Sequence, residues 1–498
     1  MSATPDRPPS VPSDTSPDAF SDTCSASSDT SSTSGADRHR AVRAAVERGL
    51  VGPDQPVAGL LDVTGIRRSA AELHAAFNRF MPPGTPVLHA FAVKAASLVP
   101  VLRLLADEGL GCEVASPGEL ALARAAGVPA SRTVLDSPAK TPAELREALD
   151  LGIAVNADNP EELERIDAYI RRTGRTGGAD GPGRTGRTGG TSGTGDPAPT
   201  TSPLGLRVNP QIGGGRIGAM STATTTSKFG FALRDPGARD QVVRACLDRP
   251  WLTRLHAHVG SQGMAPALMA EGVQALFDLA EEVNEKAGRA QITTLDIGGG
   301  LPVNFASDTT APDYDAYAAL LHSAVPGLFS GRYGLVTEFG RSLLAKHGTV
   351  LARVEYAKSA GGRPIAVTHA GAQVATRTVF APAAWPIRVA AYDGRGRPKT
   401  GAPVPQDVAG PCCFAGDLVA EDRPLPLLAS GDHVALLDTG AYYFSTHFAY
   451  NSLPRPGVYG YTTAEDGTVR FATVRSPQTL EELTTESGAA HRDSLSGL

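Results

Sequence analysis

Residues 86–97 read PVLHAFAVKAAS. An apolar run of this length, closed by a lysine and followed by the amphipathic stretch 99–109 (VPVLRLLADEG), predicts a buried strand and then a helix. The unit recurs. GCEVAS (111–116) precedes GELALARAAG (118–127), RTVLDS (132–137) precedes PAELREALDLG (142–152), and IAVNAD (153–158) precedes PEELERIDAYI (160–170). Further on, LGLRVNP (204–210), RLHAHVG (254–260), TTLDIGGG (293–300) and YGLVTEFG (333–340) continue the rhythm, with a long helical stretch at 265–288. Short apolar strands alternating with amphipathic helices imply a parallel sheet. About eight such units favour a (β/α)8 barrel over an open doubly wound sheet.

The character changes after the barrel, placed at 76–347. GTVLARVEYAKS (348–359), RPIAVTHAG (363–371), HVALLDTGAY (433–442) and TVRFATVR (468–475) are β-rich with Gly/Pro turns, so 348–480 is expected to be a second, mostly β domain. The fold class is therefore α/β: a barrel followed by a mostly β C-terminal domain. Segment 38–75 is expected to feed a strand or helix into that domain, and the sequence leaves open which. Residues 1–37, rich in Ser, Thr, Asp and Pro, are expected to be a disordered tail, and 481–498 a flexible one. The Arg-Thr-Gly repeats of 172–203 read as a flexible insertion inside the barrel; a nucleic-acid role for those arginines is the weaker reading.

At 498 residues the chain is long enough for two or three domains, and with 41% hydrophobic residues it can bury large cores. A net charge of -6 gives no sign of a nucleic-acid or anionic-membrane partner. No apolar run is long enough for a bilayer, and the first residues lack a secretory pattern. Five cysteines, an odd number, argue for reduced thiols in a cytoplasmic protein rather than a disulfide framework.

On a barrel of this kind chemistry collects at the C-terminal ends of the strands. Lys94 stands at the first such end. Desolvation there favours a neutral amine and Schiff-base chemistry, although a lysine in that place is more often a snorkelling or salt-bridging residue. His258 ends a later strand and offers a flat ring for stacking; the bland alternative is a core histidine beside a turn. Ser261 offers a hydroxyl to a phosphate. Gly298, Gly299 and Gly300 follow another strand, and their amides are free to approach an anion, where a flexible turn is the competing explanation. Glu338 and Arg341 close the last strand. The carboxylate suits a protonated ring nitrogen and the guanidinium suits phosphate, against a plain surface ion pair. Attachment, stacking, phosphate binding and electronic tuning are the needs of one cofactor. No metal is expected.

FAVKAAS, HVGSQ, DIGGG, EFGR, GPCCFAGD and GAYYFSTHFAYNS, in this order, resemble the fold-type III pyridoxal-phosphate decarboxylases, the group of diaminopimelate and ornithine decarboxylases with an alanine-racemase-like barrel. GLGCEVASPGEL, GLRVNP, SKFGFAL and THAGAQVATRTVF extend the likeness over roughly 60–465. The resemblance implies pyridoxal 5'-phosphate as cofactor and an amino-acid substrate. It also implies a homodimer with shared active sites. Residue by residue, it implies Lys94 as the Schiff-base lysine, His258 as the stacking ring, Ser261, Gly298, Gly299, Gly300, Arg341 and Tyr442 around the phosphate, and Glu338 at the ring nitrogen. Cys413 matches the cysteine that the second subunit contributes for proton delivery. Arg377 matches an arginine that meets a distal carboxylate, and Asp417 closes the cysteine motif on the substrate side. A carboxylate at Glu338 favours decarboxylation; racemases of this fold place an arginine there.

Three positions depart from the family pattern. Phe339 replaces a proline in EFGR, with little functional consequence expected because Glu338 and Arg341 remain. Phe414 stands where the family has an acidic residue that meets the substrate's distal amino group, and Ala381 where it has a tyrosine. An ammonium buried against Phe414 would lack its carboxylate partner, at a cost of several kcal/mol. The expected reaction is therefore decarboxylation of an amino acid or derivative other than diaminopimelate or ornithine. Racemisation, epimerisation or other pyridoxal-phosphate chemistry on the same scaffold is the alternative, and a degenerate regulatory homologue is a third.

Overall fold

The computed structural model describes residues 31–173 and 202–498. Most of the expected tail (1–37) and insertion (172–203) falls outside the described residues. Eight parallel strands close a barrel: β2 (Val87–Ala92), β3 (Gly111–Val114), β4 (Thr133–Leu135), β5 (Ala154–Ala157), β6 (Leu204–Asn209), β8 (Leu252–His256), β9 (Thr294–Asp296) and β10 (Gly334–Thr337). Their order is β5-β4-β3-β2-β10-β9-β8-β6, and β5 pairs with β6 to complete the ring. A two-residue strand, β7 (Phe231–Ala232), hangs on β6. The strands read as continuous apolar runs because both faces are covered, by helices outside and packed side chains inside. The helices start where the sequence provides caps. Thr141 and Glu144 form a reciprocal capping box, Ser116 caps the helix Pro117–Ala125, and Gly152, in the left-handed region at φ 74°, ends Pro142–Leu151.

The second sheet is mostly antiparallel and has nine strands. It runs β15 (Leu418–Pro426), β14 (Pro403–Ala409), β12 (Arg363–Thr368), β11 (Gly348–Ala360), β1 (Val57–Asp62), β17 (Gly457–Thr463) and β18 (Val469–Arg475). Strands β16 (His433–Leu437) and β13 (Val389–Tyr392) branch from β11. Strand β1 lies in the middle, antiparallel to β11 (Val57 opposite Ala352) and parallel to β17 (Ala58 opposite Gly457). Segment 38–75 thus contributes both a strand and helices. The helix Ser31–Glu47 belongs to the β domain's second core, where Ala41, Val42 and Ala45 pack with Leu60, Leu351 and Tyr392. The helix Val63–Asn78 packs on the barrel through Ile66, Leu73 and Phe77. The stretch 481–498, expected to be a flexible tail, begins inside the helix Leu480–Glu486, which Thr479 and Glu482 cap reciprocally.

Phe339 has a packing reason. Its ring is 1% exposed, with ring centroids 5.4 Å from Tyr314, 6.1 Å from Tyr317 and 6.2 Å from Phe77. It fills the space between the barrel wall and two covering helices.

Candidate active site

The barrel mouth gathers charge. Lys94 lies two residues past β2, and its Nζ donates to Glu113 Oε2 in β3 at 2.6 Å. Glu113 is 1% exposed, whereas the Lys94 side chain opens to the mouth. Burial opposes the lysine's charge, but Glu113, with Tyr442 and Glu338 beyond it, outweighs burial and raises the lysine pKa. Burial pushes Glu113 up to about 8 against the pull of Lys94. The expected lowering of the lysine pKa at a desolvated strand end is therefore corrected: the Glu113 carboxyl beside Lys94 raises it.

Glu338 follows β10 directly and is buried. Its Oε2 lies 3.4 Å from His256 Nε2 and 3.8 Å from His258 Nδ1. Its Oε1 is buried with no partner. Burial disfavours its charge, but His256, followed by His258, keeps the carboxyl well below the usual range. His258 is lowered from its ordinary pKa by burial, and its Nδ1 accepts a hydrogen bond from the Gly299 amide at 3.1 Å. Burial thus works against charge on a ring whose Nδ1 faces both the Gly299 amide and the Glu338 carboxylate, and whose orientation these two neighbours fix.

The three glycines do something different from what their amides suggest. Gly298 N–H donates to Asp296 Oδ1 (3.1 Å) and Gly299 N–H to His258, which leaves only Gly300 N–H without an internal acceptor among them. Their need is close approach. A Cβ on Gly299 would meet the Glu338 carbonyl oxygen at 2.0 Å, and one on Gly300 the Gly260 carbonyl oxygen at 1.8 Å. The cationic part of an anion site comes instead from two arginines. Arg341 and Arg377 each lie over both the Trp385 and Tyr442 rings, at 4.4–5.0 Å. Arg341 Nε and Nη2 and Arg377 Nη1 are buried without partners. Burial, with Arg377 adding to it, brings Arg341 down to about 10. Two desolvated guanidinium groups side by side call for an anion.

Tyr442 has φ 67°, unusual for an aromatic residue, and its amide donates to the Ala95 carbonyl at 2.7 Å. Ser445 Oγ donates to the Lys94 carbonyl at 2.8 Å. The β domain thereby grips the turn that presents Lys94. Ser261 lies on the loop after β8, its amide donating to the Met220 carbonyl at 2.9 Å.

Lys94, His258, Gly298–Gly300, Glu338, Arg341, Tyr442 and Arg377 thus line one mouth. Cys413, Phe414 and Asp417 make their contacts within the β domain. Cys413 is exposed while Cys412 is buried, and the Cys413 amide donates to Asn451 Oδ1 at 2.8 Å. Phe414 stacks on Phe380 at 5.5 Å and 8°, and meets Tyr450 edge-on at 5.3 Å. Phe448 joins this cluster against Phe380 and Tyr450. Asp417, expected on the substrate side, is buried, with Oδ1 accepting from the Ala372 amide and Oδ2 from the Cys412 amide, both at 2.6 Å. It shapes the cysteine turn instead.

Sequence reasoning missed Glu113, Asp136, Arg207, Arg254, His256, Asp296 and Trp385. Asp136 Oδ2 accepts from Arg207 Nη1 at 2.9 Å and faces His256 Nδ1 at 3.4 Å. Arg254, His256 and His258 alternate in one apolar strand and its extension, so all three point the same way, into the barrel. That period of two was the available signal.

Pyridoxal phosphate fits this residue set. The unpartnered Glu338 Oε1 suits a ring nitrogen, the unpartnered donors of Arg341 and the Gly300 amide suit a phosphate, and Lys94 stands at the mouth for an aldehyde. Comparison with known proteins agrees. Residues 66–345 match the family described as "Pyridoxal-dependent decarboxylase, pyridoxal binding domain". The chain is 31% identical to a diaminopimelate decarboxylase of Methanothermobacter thermautotrophicus over 375 residues, 74% of this chain and 78% of that one. It is 30% identical to the Pseudomonas aeruginosa diaminopimelate decarboxylase over 422 residues, 83% and 90% of the two chains. In fold it is similar to the diaminopimelate decarboxylase of M. jannaschii solved with L-lysine, with TM-score 0.74, 24% identity, and coverage of 90% of this chain and 94% of that one. The chain belongs to the pyridoxal-dependent decarboxylases and is an amino-acid decarboxylase of that family.

Proposed function

We propose that the chain removes the α-carboxylate of an amino acid, or of an amino-acid derivative, whose distal end carries no free ammonium. Lys94 is its cofactor-bearing lysine and Cys413 its proton donor. Pyridoxal phosphate, when bound, supplies an electron sink for the bond to the departing carboxylate. The protein does the rest. His258 would cover one ring face, ionised Glu338 would accept a hydrogen bond from the protonated ring nitrogen, Arg341 and the Gly300 amide would hold the phosphate, and the Cys413 thiol would hand a proton to the substrate carbon. Two copies share their sites, with Cys413 of one copy beside Lys94 of the other. This reading is supported by the exposure of Cys413, which leaves its thiol open to a second copy. Four unpaired cysteines among the described residues favour a reducing, cytoplasmic setting.

One observation carries the substrate reading: Phe414, beside Cys413, is stacked in an aromatic cluster with Phe380, Phe448 and Tyr450. An ammonium enclosed there beneath the second copy would lose hydration worth several kcal/mol. A cation–π contact returns about 0.5–2 kcal/mol, and the Phe380–Phe414 stack already covers one face of each of these rings. Diaminopimelate is the second reading, favoured by the names of the relatives and by the unpartnered Arg377 Nη1, which suits a distal carboxylate. Carbon dioxide release by the holoenzyme across a panel of amino acids and their N- or O-linked derivatives separates the two. A preference for diaminopimelate or ornithine would overturn the first.

A further inference from the structure

His256 closes β8 with no exposure to solvent. Its Nδ1 lies 3.4 Å from Asp136 Oδ2 and its Nε2 3.4 Å from Glu338 Oε2. Asp136 is held in turn by Arg207, whose guanidinium lies 4.3 Å over the Phe229 ring and 3.9 Å from Asp158. A neutral imidazole has one proton, so in this position it would turn a lone pair on one of the two carboxylates. Both contacts are attractive only when both nitrogens carry protons. Local charge agrees: Asp136 and Glu338, the two carboxyls that face the His256 nitrogens, are both held below their ordinary range, while burial pushes Glu113 and Asp296 up.

We propose that His256, backed by Asp136 and Arg207, is a positioning residue: as an imidazolium it occupies Oε2 of Glu338 and leaves Oε1 as the ionised acceptor for the cofactor's ring nitrogen. The inference rests on the assignment of Glu338 to that nitrogen. Burial opposes the charge on His256, but Asp136, then Glu338 and Asp296, raise its pKa well above the ordinary value. His256 does not touch the reacting atoms. It acts by keeping Glu338 charged and fixed in direction, so that the ring stays protonated.

The test uses holoenzyme loaded with pyridoxal phosphate labelled with nitrogen-15 in the ring, whose chemical shift reports protonation. Wild type is expected to show a protonated nitrogen. Asp136→Asn and His256→Phe are expected to move the shift toward the unprotonated value and to weaken cofactor affinity on the order of tenfold, one unit of pKa coupling. His256→Gln, which keeps a donor toward Glu338, is expected to recover part of both. If His256→Phe does not fold, Asp136→Asn and His256→Ala carry the test. A shift that stays protonated in Asp136→Asn and in whichever of His256→Phe and His256→Ala folds, with affinity within twofold of wild type, overturns the proposal. Glu338→Gln separates the two layers. If it deprotonates the ring while the others do not, only the His256 inference fails; if it too leaves the ring protonated, the reading of Glu338 falls first.

Discussion

Lys94 Nζ and Glu113 Oε2 are 2.6 Å apart, one residue at the open mouth and the other sealed in β3. The carboxylate raises the lysine pKa, so the uncharged amine needed to attack an aldehyde is available only at high pH. Removing the charge reverses that. Glu113→Gln is expected to move the pH profile of cofactor capture by apoprotein to lower pH by about one unit or more, roughly tenfold in rate on the rising limb. Stopped-flow absorbance across pH measures it, and a profile identical to wild type would remove Glu113 from this role.

Phe339 interrupts a loop that carries two site residues, yet it is a core ring among Phe77, Tyr314 and Tyr317. Phe339→Ala is expected to cost about 3–5 kcal/mol of stability through the cavity it leaves. Cofactor affinity should change far less, because Glu338 and Arg341 keep their contacts. Denaturant unfolding alongside a cofactor titration separates the two effects; a large loss of affinity with intact stability would contradict the packing explanation.

The barrel was legible in the sequence because each strand is a short apolar run and each helix carries its own period and caps. The order lysine, histidine, glycines, carboxylate-arginine placed the mouth. Two kinds of feature were not legible. The central place of β1 depends on pairing with residues about 290 and 400 positions away, Ala352 and Gly457, and local pattern holds no record of such partners. The charged floor of the site depends on meetings such as Asp136 with Arg207 and His256 with Glu338, between strands whose own residues look merely apolar with an occasional polar interruption. Asp417 was misjudged for the same reason, since its two backbone partners lie on different segments.

The proposed sharing of sites between two copies makes a stoichiometric prediction. Lys94→Ala and Cys413→Ala chains should each be inactive or nearly so alone. Mixed after reversible dissociation, they should recover about one quarter of wild-type activity, because half of the dimers are hybrids with one intact site. No recovery, with hybrids verified by mass, would place both residues in the same copy's site.

Among the described cysteines only Cys413 is exposed. Burial pushes Cys112 and Cys246 up to about 12 and Cys412 up to about 11. Among these four, a thiol reagent at pH 8 should therefore label Cys413 first. Cofactor and substrate analogue together should slow that labelling. Faster modification of Cys412 would reverse the choice between the neighbours.

Phe414→Glu supplies a carboxylate at the position where the aromatic cluster now excludes one. Activity on diamino acids is expected to rise by on the order of tenfold or more relative to wild type, with a corresponding fall on the natural substrate. Unchanged relative rates would mean that the distal end is read by other residues.

The account depends most on where the cofactor is attached. Holoenzyme reduced with borohydride, digested and sequenced by mass spectrometry should carry the pyridoxyl-phosphate mass on the peptide containing Lys94, and Lys94→Ala protein should carry none. The adduct on another lysine, or an unmodified Lys94 in fully loaded enzyme, would contradict it.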